Sequence, residues 1–400
     1  MTNKPPFAGE KVRLGDLGKT ICGGTPSSKH PEFFAGSIPW IGTTALNGGK
    51  LDKADAVKLI TREAVEKSAT KIIPPNSIMV GIRVGVGKVA INSVPMCTSQ
   101  DIVSVVSIDE AEWCKEYISM VLQYKAPVLA AQAQGATITG ISSKTLKSIT
   151  IPVAPLETQR RIVEELRAIE AQKVAANSIL KSFSALVKSR FVEMFGDPSD
   201  NSRNYQVVSI GEILSVQPSN GLYKPQKDYV TDGSGVPIIR IDSFNEEGPN
   251  YSALKRLSCT QKETEKYGLR DGDIVVNRVN SIGCMGKTML IDHLPEVVVF
   301  ESNMMRMHVE ESTMFPRFLR HQMTSDYAKH YFESHAKKAI GQASINQADV
   351  KGLKVLVPPY VDQKSFLDFA AEVDKSRVVV QMQIEKLQTL YDSLAQEYFG

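Results

Sequence analysis

Residues 151–159 read IPVAPLETQ and residues 355–363 read VLVPPYVDQ, and this pair of segments decides the fold. Pro359 follows Pro155, and Gln363 follows Gln159, by 204 residues. The same offset joins RFVEMFG at residues 190–196 to the Phe-Gly pair that closes SLAQEYFG at residues 393–400. A repeat of about 200 residues is far longer than the units that stack in solenoid proteins. The sequence therefore predicts a tandem duplication of a whole module.

A long helix is predicted to follow each segment, because proline is favoured at a helix start and little Gly or Pro follows before Gly196 and Gly400. Apolar residues recur there at alternating steps of four and three, as in a coiled coil. The first seam comprises Ile162, Leu166, Ile169, Lys173, Ala176, Leu180, Phe183, Val187, Arg190 and Met194, and every position recurs 204 residues later. Lys173 and Arg377 occupy the same step, where a charge weakens packing but can fix the register. The alternative is a helix that packs only on its own domain.

The rest of each module, residues 10–154 and 206–357, mixes short β-branched runs with Gly and Pro. Residues 77–90 (SIMVGIRVGVGKVA) and 273–280 (DIVVNRVN) are predicted to form strands broken by turns. Residues 112–124 and 315–334 are predicted to be helical. This pattern predicts an α+β fold with a curled, largely β core in each module.

The composition excludes several classes of protein. In 400 residues, 47 Lys and Arg stand against 44 Asp and Glu, so the net charge of +3 fits neither a polycation nor an acidic disordered tail. No apolar run approaches the ~18 residues of a membrane span, and residues 1–9 lack the apolar core of a signal peptide. The five cysteines include no CxxC pair, so reduced thiols and a cytoplasmic location are expected.

Catalytic motifs are expected to be absent, because the near matches fail at defining positions. Residues 283–288 (GCMGKT) end like a phosphate-binding loop, but Ser281 stands where the motif needs glycine. The Pro-Pro-aromatic triplets at residues 5–7 and 358–360 resemble an adenine-methyltransferase loop, but Lys4 and Val357 replace its Asn or Asp. The six histidines show no metal-ligand spacing. We therefore expect no catalysis, no metal and no cofactor.

Recognition chemistry remains, because the loops of both modules hold amide, hydroxyl and basic side chains. Arg, Asn and Gln read base edges through bidentate hydrogen bonds, and Lys and Thr suit phosphates. The residues predicted to contact DNA are Thr25, Lys29, Thr43, Arg83, Lys88, Gln134, Lys144, Lys224, Arg240, Asn277, Arg278, Asn280, Lys287, Gln342 and Asn346. Lys88 and Lys287 recur in the duplication, and Asn277 and Arg278 are the predicted base readers of the second module. The alternative for each is an ordinary solvated surface residue.

This organisation resembles the specificity subunit of type I restriction–modification systems over essentially the whole chain. The most specific parts are the segments at residues 151–159 and 355–363, each of which closes a target-recognition domain and opens a long helix. The turn GGTPS at residues 23–27 also looks like this family, and QPSNG at residues 217–221 is a weaker match. The resemblance implies two tandem α/β target-recognition domains, residues 1–154 and 198–357. Two long antiparallel coiled-coil helices, residues 155–197 and 358–400, would separate them with pseudo-two-fold symmetry.

The resemblance also implies a function and partners. Each domain of such a non-catalytic subunit reads one half of a split double-stranded DNA site, and the helices set the gap. Two modification subunits then methylate adenines, and two restriction subunits can join for ATP-driven translocation and cleavage; no membrane is involved. Two alternatives stay open. A stand-alone DNA methyltransferase is disfavoured by the missing cofactor loop, and a coiled-coil protein-interaction scaffold would not need two divergent domains.

Overall fold

The structure is a computed structural model that describes residues 9–133, 140–199, 201–243, 248–339 and 342–400. The chain divides into two compact units: unit 1 is Met1–Asn177 with Gln381–Gly400, and unit 2 is Ser178–Val380. Each unit therefore contains the first part of one long helix and the last part of the other.

Unit 1 is built on short strands and a few helices. The strands are β1 (Lys11–Arg13), β2 (Lys19–Cys22), β3 (Ile38–Ile41), β4 (Lys50–Leu51), β5 (Lys58–Ile60), β6 (Ile72–Ile73), β7 (Ile78–Gly81), β8 (Val89–Asn92), β9 (Met96–Thr98), β10 (Ile102–Val106) and β11 (Thr150–Pro152). The helices are α1 (Leu14–Leu17), α2 (Arg62–Glu66), α3 (Lys115–Tyr124), α4 (Ala126–Ala131), α5 (Ser143–Lys147) and the first part of α6 (Leu156–Phe195).

The strands of unit 1 form two main sheets, in the orders β2-β10-β7-β8-β4 and β5-β3-β9-β6, and β1 pairs with β11. All residues of β7, β8 and β10 are buried, which explains their almost continuous apolar sequence. The main core packs these strands against α3 and the first turns of α6. Phe399, from the second long helix, is 1% exposed in the same core, and burying such a side chain contributes about 1.5–3 kcal/mol.

Unit 2 repeats this plan. Its strands are β12 (Gln206–Ser209), β13 (Leu214–Asn220), β14 (Tyr229–Val230), β15 (Val236–Ile239), β16 (Lys255–Leu257), β17 (Ile274–Asn277), β18 (Val279–Asn280), β19 (Thr288–Leu290), β20 (Val299–Phe300), β21 (Met304–Val309), β22 (Lys337–Ala339), β23 (Gln342–Ser344) and β24 (Lys354–Val357). Its helices are α7 (Gln261–Tyr267), α8 (Pro316–Met323), α9 (Asp326–His335), α10 (Gln347–Gly352) and the first part of α11 (Tyr360–Phe399).

The sheets of unit 2 correspond to those of unit 1. The orders β13-β21-β17-β19 and β14-β16-β15-β20 match the two main sheets, and β12 pairs with β24 as β1 does with β11. The parallel pair β3–β9 in the first copy has its counterpart in the parallel pair β15–β20. Unit 2 adds a small sheet in the order β18-β23-β22. The prediction of a duplicated α+β module is confirmed.

One predicted helix is divided in two. Residues 315–334 form α8 and α9 rather than one continuous helix. The break falls at Ser325, whose hydroxyl accepts a hydrogen bond from the backbone N–H of Ala328 at 3.2 Å and so starts a new helix. Serine at this position offers a cap that competes with continuation of the helix.

The two long helices, Leu156–Phe195 and Tyr360–Phe399, lie within the predicted ranges 155–197 and 358–400. Each starts directly after its proline and stops at Phe195 or Phe399, just before glycine. All predicted seam positions are buried or partly buried, so the 4-3 spacing marks the packed face. In unit 1, Lys173 Nζ donates to Gln388 Oε1, and Tyr398 Oη donates to Glu165 Oε2 at 2.9 Å. Rising numbers on α6 thus meet falling numbers on α11, which is an antiparallel pairing.

The same pairing recurs inside unit 2. Arg377 Nη2 donates to Ser184 Oγ at 3.3 Å, and the rings of Phe195 and Phe366 lie 5.8 Å apart. Gln388 follows Ser184 by 204 residues, as Arg377 follows Lys173. The basic residue of each seam therefore meets an equivalent polar position of the other helix, which fits a role in setting the register.

A buried glutamine fastens the start of each long helix to its domain. Gln159 accepts a hydrogen bond from the N–H of Cys114 at 2.8 Å and donates to the carbonyl groups of Glu112 and Ala154 at 3.0 and 2.8 Å. Gln363 makes the same three bonds, to Phe315 N–H and to the carbonyl groups of Thr313 and Pro358. Both glutamines are 0% exposed. The glutamine of the repeated segment is thus a structural clamp, a role that its spacing alone does not reveal.

Candidate nucleic-acid interface

The two repeated lysines sit on matching turns. In unit 1, the N–H of Gly81 donates to Lys88 O at 2.8 Å; in unit 2, the N–H of Asn277 donates to Lys287 O at 2.8 Å. Gly87 and Gly286 precede these lysines with φ of +82° and +69°, a conformation that favours glycine. Both lysine side chains are exposed. The turns therefore present one ammonium group at the same place in each unit.

The two predicted arginines, in contrast, are not equivalent. The backbone N–H of Arg278 donates to the carbonyl group of Asn303, and the carbonyl group of Arg278 accepts from the N–H of Ile345. In unit 1, the backbone of Ile82 makes the corresponding two hydrogen bonds. Arg83 therefore corresponds to Val279, one residue further along. Because successive strand residues point to opposite faces, the two arginines project from different faces.

The surroundings of the two arginines differ accordingly. The side chain of Arg83 is 46% exposed, with Nη1 at 3.7 Å from Asp101 Oδ1. Arg278 is partly buried, and its Nη1 donates to the carbonyl group of Ser302 at 3.2 Å. A base could reach Arg83 directly, whereas Arg278 would have to exchange a backbone partner.

Asn277 lies inside unit 2 rather than on its surface. It is 1% exposed, and neither its amide oxygen nor its amide nitrogen has a hydrogen-bond partner among the described residues. Its equivalent in unit 1 is Gly81, so the position is not a shared reading site. In this arrangement a base cannot touch Asn277 without movement of the surrounding residues.

Two predicted contact residues of unit 2 are neutralised by acids. Lys224 lies 2.9 Å from Glu263, and the Thr260 backbone N–H together with this lysine lowers the pKa of Glu263 to about 2. Arg240 Nε is 3.5 Å from Glu301, and its guanidinium group lies over the Tyr229 ring at 5.3 Å. Both cations are partly buried. Their charge is therefore less available to a phosphate than that of Lys88 or Lys287.

The remaining predicted residues differ in exposure and in the hydrogen bonds that they make. Thr25, Lys29 and Lys144 of unit 1 and Gln342 of unit 2 are exposed, whereas Thr43 is 8% exposed. Asn280 is partly buried, and its Oδ1 accepts from the N–H of Ser281 at 2.7 Å. Asn346 caps α10 by accepting from Ala348 and Asp349, as Ser142 caps α5. Gln134 lies outside the described residues.

Sequence reasoning missed two exposed cations, Lys337 and Lys338, on β22. These lysines do not recur in the first copy, where the counterpart of Lys337 is Ala133. A search for basic residues on polar, Gly-flanked strands of either copy would have found them.

In the described part of the chain, neither a membrane span nor a metal centre accompanies these features. No helix in the ranges that the structure describes is long and apolar enough to cross a membrane. Over those same ranges, no three His, Cys, Asp or Glu side chains are grouped so as to hold a metal ion.

The two units are also recognisable by family. Residues 9–181 and 202–387 each match the type I restriction modification DNA specificity domain. The chain therefore belongs to the specificity subunits of type I restriction–modification systems. It is a DNA-recognition subunit of such systems and not their enzyme.

Individual relatives agree with this assignment. The chain is 25% identical over 380 residues to the type I restriction enzyme StySPI specificity subunit of Salmonella potsdam, covering 90% of this chain and 80% of the relative. It is 25% identical over 350 residues to the EcoKI specificity subunit of Escherichia coli, covering 82% and 73%.

Solved structures share the fold. A chain from a structural study of complex assembly in the type I R-M system superposes with a TM-score of 0.63 at 16% identity, covering 98% of this chain and 97% of that one. The S subunit from M. genitalium superposes with a TM-score of 0.52 at 14% identity, covering 100% and 98%. The predicted fold class is thereby confirmed.

Proposed function

We propose that the chain reads a split, asymmetric site on double-stranded DNA, with unit 1 reading one half and unit 2 the other. The observation that carries this proposal is a shared frame with different exposed side chains. The turn lysines Lys88 and Lys287 are equivalent, whereas Arg83 is replaced by Val279 and Ala133 by Lys337. Shared cations suit phosphate contacts, which carry no sequence information, and divergent side chains suit the reading of different bases.

The partners follow from the family. We propose that two modification subunits assemble with the chain and methylate adenines in the site, and that two restriction subunits can join this complex. Residues 1–154 and 198–357 would be the target-recognition domains, with residues 155–197 and 358–400 as the helices between them. A cytoplasmic location is part of this proposal.

Methylome sequencing tests the proposal. A host that lacks other methyltransferases would express the chain with its modification subunit, and methylated adenines would be mapped. We expect one motif with two different specified halves separated by unspecified bases. A continuous or palindromic motif would contradict the proposal, and so would methylation that persists when the specificity chain is omitted.

Lys88 and Lys287 are proposed as phosphate contacts. Replacing Lys88 with Ala should weaken binding to all DNA sequences and reduce the slope of log affinity against log salt by about 0.9. Lys53→Ala removes another exposed lysine of unit 1 and serves as the control. Equal slopes for the two variants would exclude Lys88 from the interface.

Arg278 is proposed as a base reader of the second half-site. If it grips a guanine, Arg278→Ala should cost about 1–3 kcal/mol on the specific site and relax the preference at one base pair. A loss of equal size on specific and nonspecific DNA would assign Arg278 to a phosphate or to the structure of unit 2.

A further inference from the structure

The small sheet β18-β23-β22 gives unit 2 a second exposed surface. β22 pairs with β23 in the register Lys337↔Ser344 and Ala339↔Gln342, and β23 pairs with β18 in the register Val279↔Ser344. Side chains in one register row point to the same face, and alternate rows share a face. Lys337, Ser344 and Gln342 therefore lie together on one face.

That face points to solvent. Ala343, in the intervening row, is 3% exposed and belongs to the core, so the opposite face is the buried one. Lys337 and Gln342 are exposed. Lys338 shares the row of Ala343, so it projects from the edge strand towards the opposite face, and it is exposed as well. The outer face thus carries an amide, a hydroxyl and one cation, and a second cation projects from the other side of the edge strand.

The two lysines lack acidic partners. Within the described part of the chain, neither Lys337 nor Lys338 forms an ion pair or a hydrogen bond through its side chain. The three strands contain no Asp or Glu. Lys224 and Arg256 of the same unit, in contrast, each lie within 3 Å of a glutamate. The sheet is therefore a local concentration of uncompensated positive charge.

Unit 1 also has a cation on the corresponding face, but a different strand carries it. Gly140 corresponds to Ser344, and a Cβ at Gly140 would lie 2.9 Å from Arg83 Cγ. Arg83 and Gly140 thus share the row that Val279, Ser344 and Lys337 form in unit 2. Unit 1 has Arg83 and Ala133 where unit 2 has Val279 and Lys337. The face keeps a cation while its position moves from one strand to another.

We propose that the outer face of this sheet is a DNA-contacting surface of unit 2. Lys337 contacts a phosphate from this face, and Lys338 contacts one from the edge of the sheet. Gln342 reads a base edge, which a glutamine does best at adenine. A narrow β-ribbon fits the major groove of B-DNA. The assignment rests on the proposed function, since it specifies how unit 2 binds its half-site.

Salt-dependent binding tests the two lysines. The complex with the modification subunit would be titrated with a duplex carrying the mapped motif and with a random duplex. Lys337→Ala with Lys338→Ala should reduce the salt slope by about 1.8, because each lost phosphate contact removes about 0.9. Between 50 and 200 mM salt, the variant should lose about tenfold less affinity than the wild type. Lys262→Ala with Lys266→Ala removes the same charge from exposed positions of α7 and should leave the slope unchanged.

A charge reversal separates DNA contact from protection of the sheet edge, since lysines on an edge strand also hinder pairing with another chain. Lys337→Glu with Lys338→Glu keeps the edge charged but should bind DNA more weakly than the alanine pair. Wild-type binding by the glutamate pair would overturn the proposal. So would an alanine pair that matches the α7 control.

Gln342→Ala provides a separate readout. It should relax the methylated motif at one position of the second half and leave the first half unchanged. An unchanged motif would remove Gln342 from the reading surface. If the wild-type complex itself methylates no split motif, the proposed function fails; if it does and the lysine pair behaves like the control, only this surface is wrong.

Discussion

Units 1 and 2 satisfy the same backbone position with different side chains. In unit 1, Tyr117 Oη donates to the carbonyl group of Pro152 at 3.1 Å. In unit 2, Gln322 Nε2 donates to the equivalent carbonyl group of Leu356 at 2.9 Å, and Gln322 Oε1 accepts from the Leu356 N–H at 2.7 Å. Proline has no N–H, so one hydroxyl suffices there, whereas leucine needs a donor and an acceptor. The two units thus keep the same backbone structure because each satisfies the hydrogen bonds of this position, although the residues that do so differ.

The two units also place different charged residues around the corresponding helices α3 and α8. In unit 1, Glu116 on α3 lies 3.5 Å from Lys50 on β4 and 3.9 Å from Arg167 on α6. Burial alone would raise the pKa of Glu116, but its backbone hydrogen bond and the two cations outweigh burial and lower the pKa.

Unit 2 has a cluster in which the central charge is positive and its two partners are acidic. Its helices α3 and α8 are aligned by the clamped N–H groups of Cys114 and Phe315, so Arg317 occupies the place of Glu116. Arg317 lies 3.1 Å from Asp292 and 3.5 Å from Asp374 on α11. In each unit, a charged residue of the short helix thus lies near two residues of opposite charge, one of which is on a long helix.

We expect the largest loss of stability when the buried glutamine that both units share is replaced. Gln159→Leu leaves one N–H and two carbonyl groups buried without partners, so we expect a loss of about 3–5 kcal/mol in the free energy of unfolding. Gln363→Leu should cost as much in unit 2. Chemical denaturation followed by circular dichroism measures both, and Gln172→Leu, at an exposed position of α6, is the control. A loss below 1 kcal/mol would show that water replaces the clamp.

Replacing Gln322 and Tyr117, which bond the same backbone position in the two units, should lower the free energy of unfolding by unequal amounts. Gln322→Leu strands both the N–H and the carbonyl group of Leu356, and we expect a loss of about 2–4 kcal/mol. Tyr117→Phe strands only the carbonyl group of Pro152 and should cost about 1 kcal/mol. The same denaturation experiment compares them. Equal losses would contradict the account based on the missing proline N–H.

Acid should weaken unit 2 through a residue that unit 1 lacks. Burial, with the Arg320 and Arg317 cations, lowers the pKa of His321 to about 3, whereas a free histidine titrates near 6.5. The neutral ring is the folded form, so its stabilising contribution is present above pH 6.5 and is lost as the pH falls towards 3. Between pH 7 and pH 5 the group should cost about 1–2 kcal/mol.

The matched variant is His321→Met, because Met120 holds this position in unit 1. Thermal unfolding at both pH values should show a smaller drop for the variant than for the wild type. An identical pH dependence would exclude His321 as the source of the acid sensitivity.

The smallest effect is expected from the charge clusters. Glu116→Arg should cost about 0.5–1 kcal/mol, because the Lys50 and Arg167 side chains are 63% and 53% exposed and therefore well screened. Adding Arg167→Glu should restore part of the loss. Glu164→Arg, at an exposed site of α6, is the control for net charge. If the double variant recovers no stability, residues 116 and 167 do not interact energetically.

Much of the fold could be predicted because repetition and period are visible in one sequence. The shared offset predicted helices over residues 155–197 and 358–400, which contain α6 and α11, and the 4-3 spacing identified their packed faces. Local competition was harder to predict: Ser325 starts a new helix within a run that is apolar enough to continue. The clamping role of Gln159 also depends on burial, which spacing does not report.

The candidate site was less predictable, because its geometry depends on the phase of single strands. Arg83 and Arg278 look alike in the sequence, yet one residue of offset sends them to different faces. Asn277 follows three buried apolar residues and is itself buried, so an amide expected at the surface lies in the interior. Lys337 was not predicted, and its counterpart in the first copy is the apolar Ala133.

The division of the long helices also orders events during synthesis on the ribosome. Unit 2 is one continuous stretch, Ser178–Val380, whereas unit 1 needs Gln381–Gly400 to complete its core. The ring of Phe399 packs against Tyr117 and Tyr124 at 5.7 and 5.9 Å. Unit 1 is synthesised first. The apolar surface around these tyrosines therefore stays uncovered until the whole of unit 2 has been translated. Nascent chains would be most prone to chaperone capture in that interval, and the unit begun first would be the last to fold.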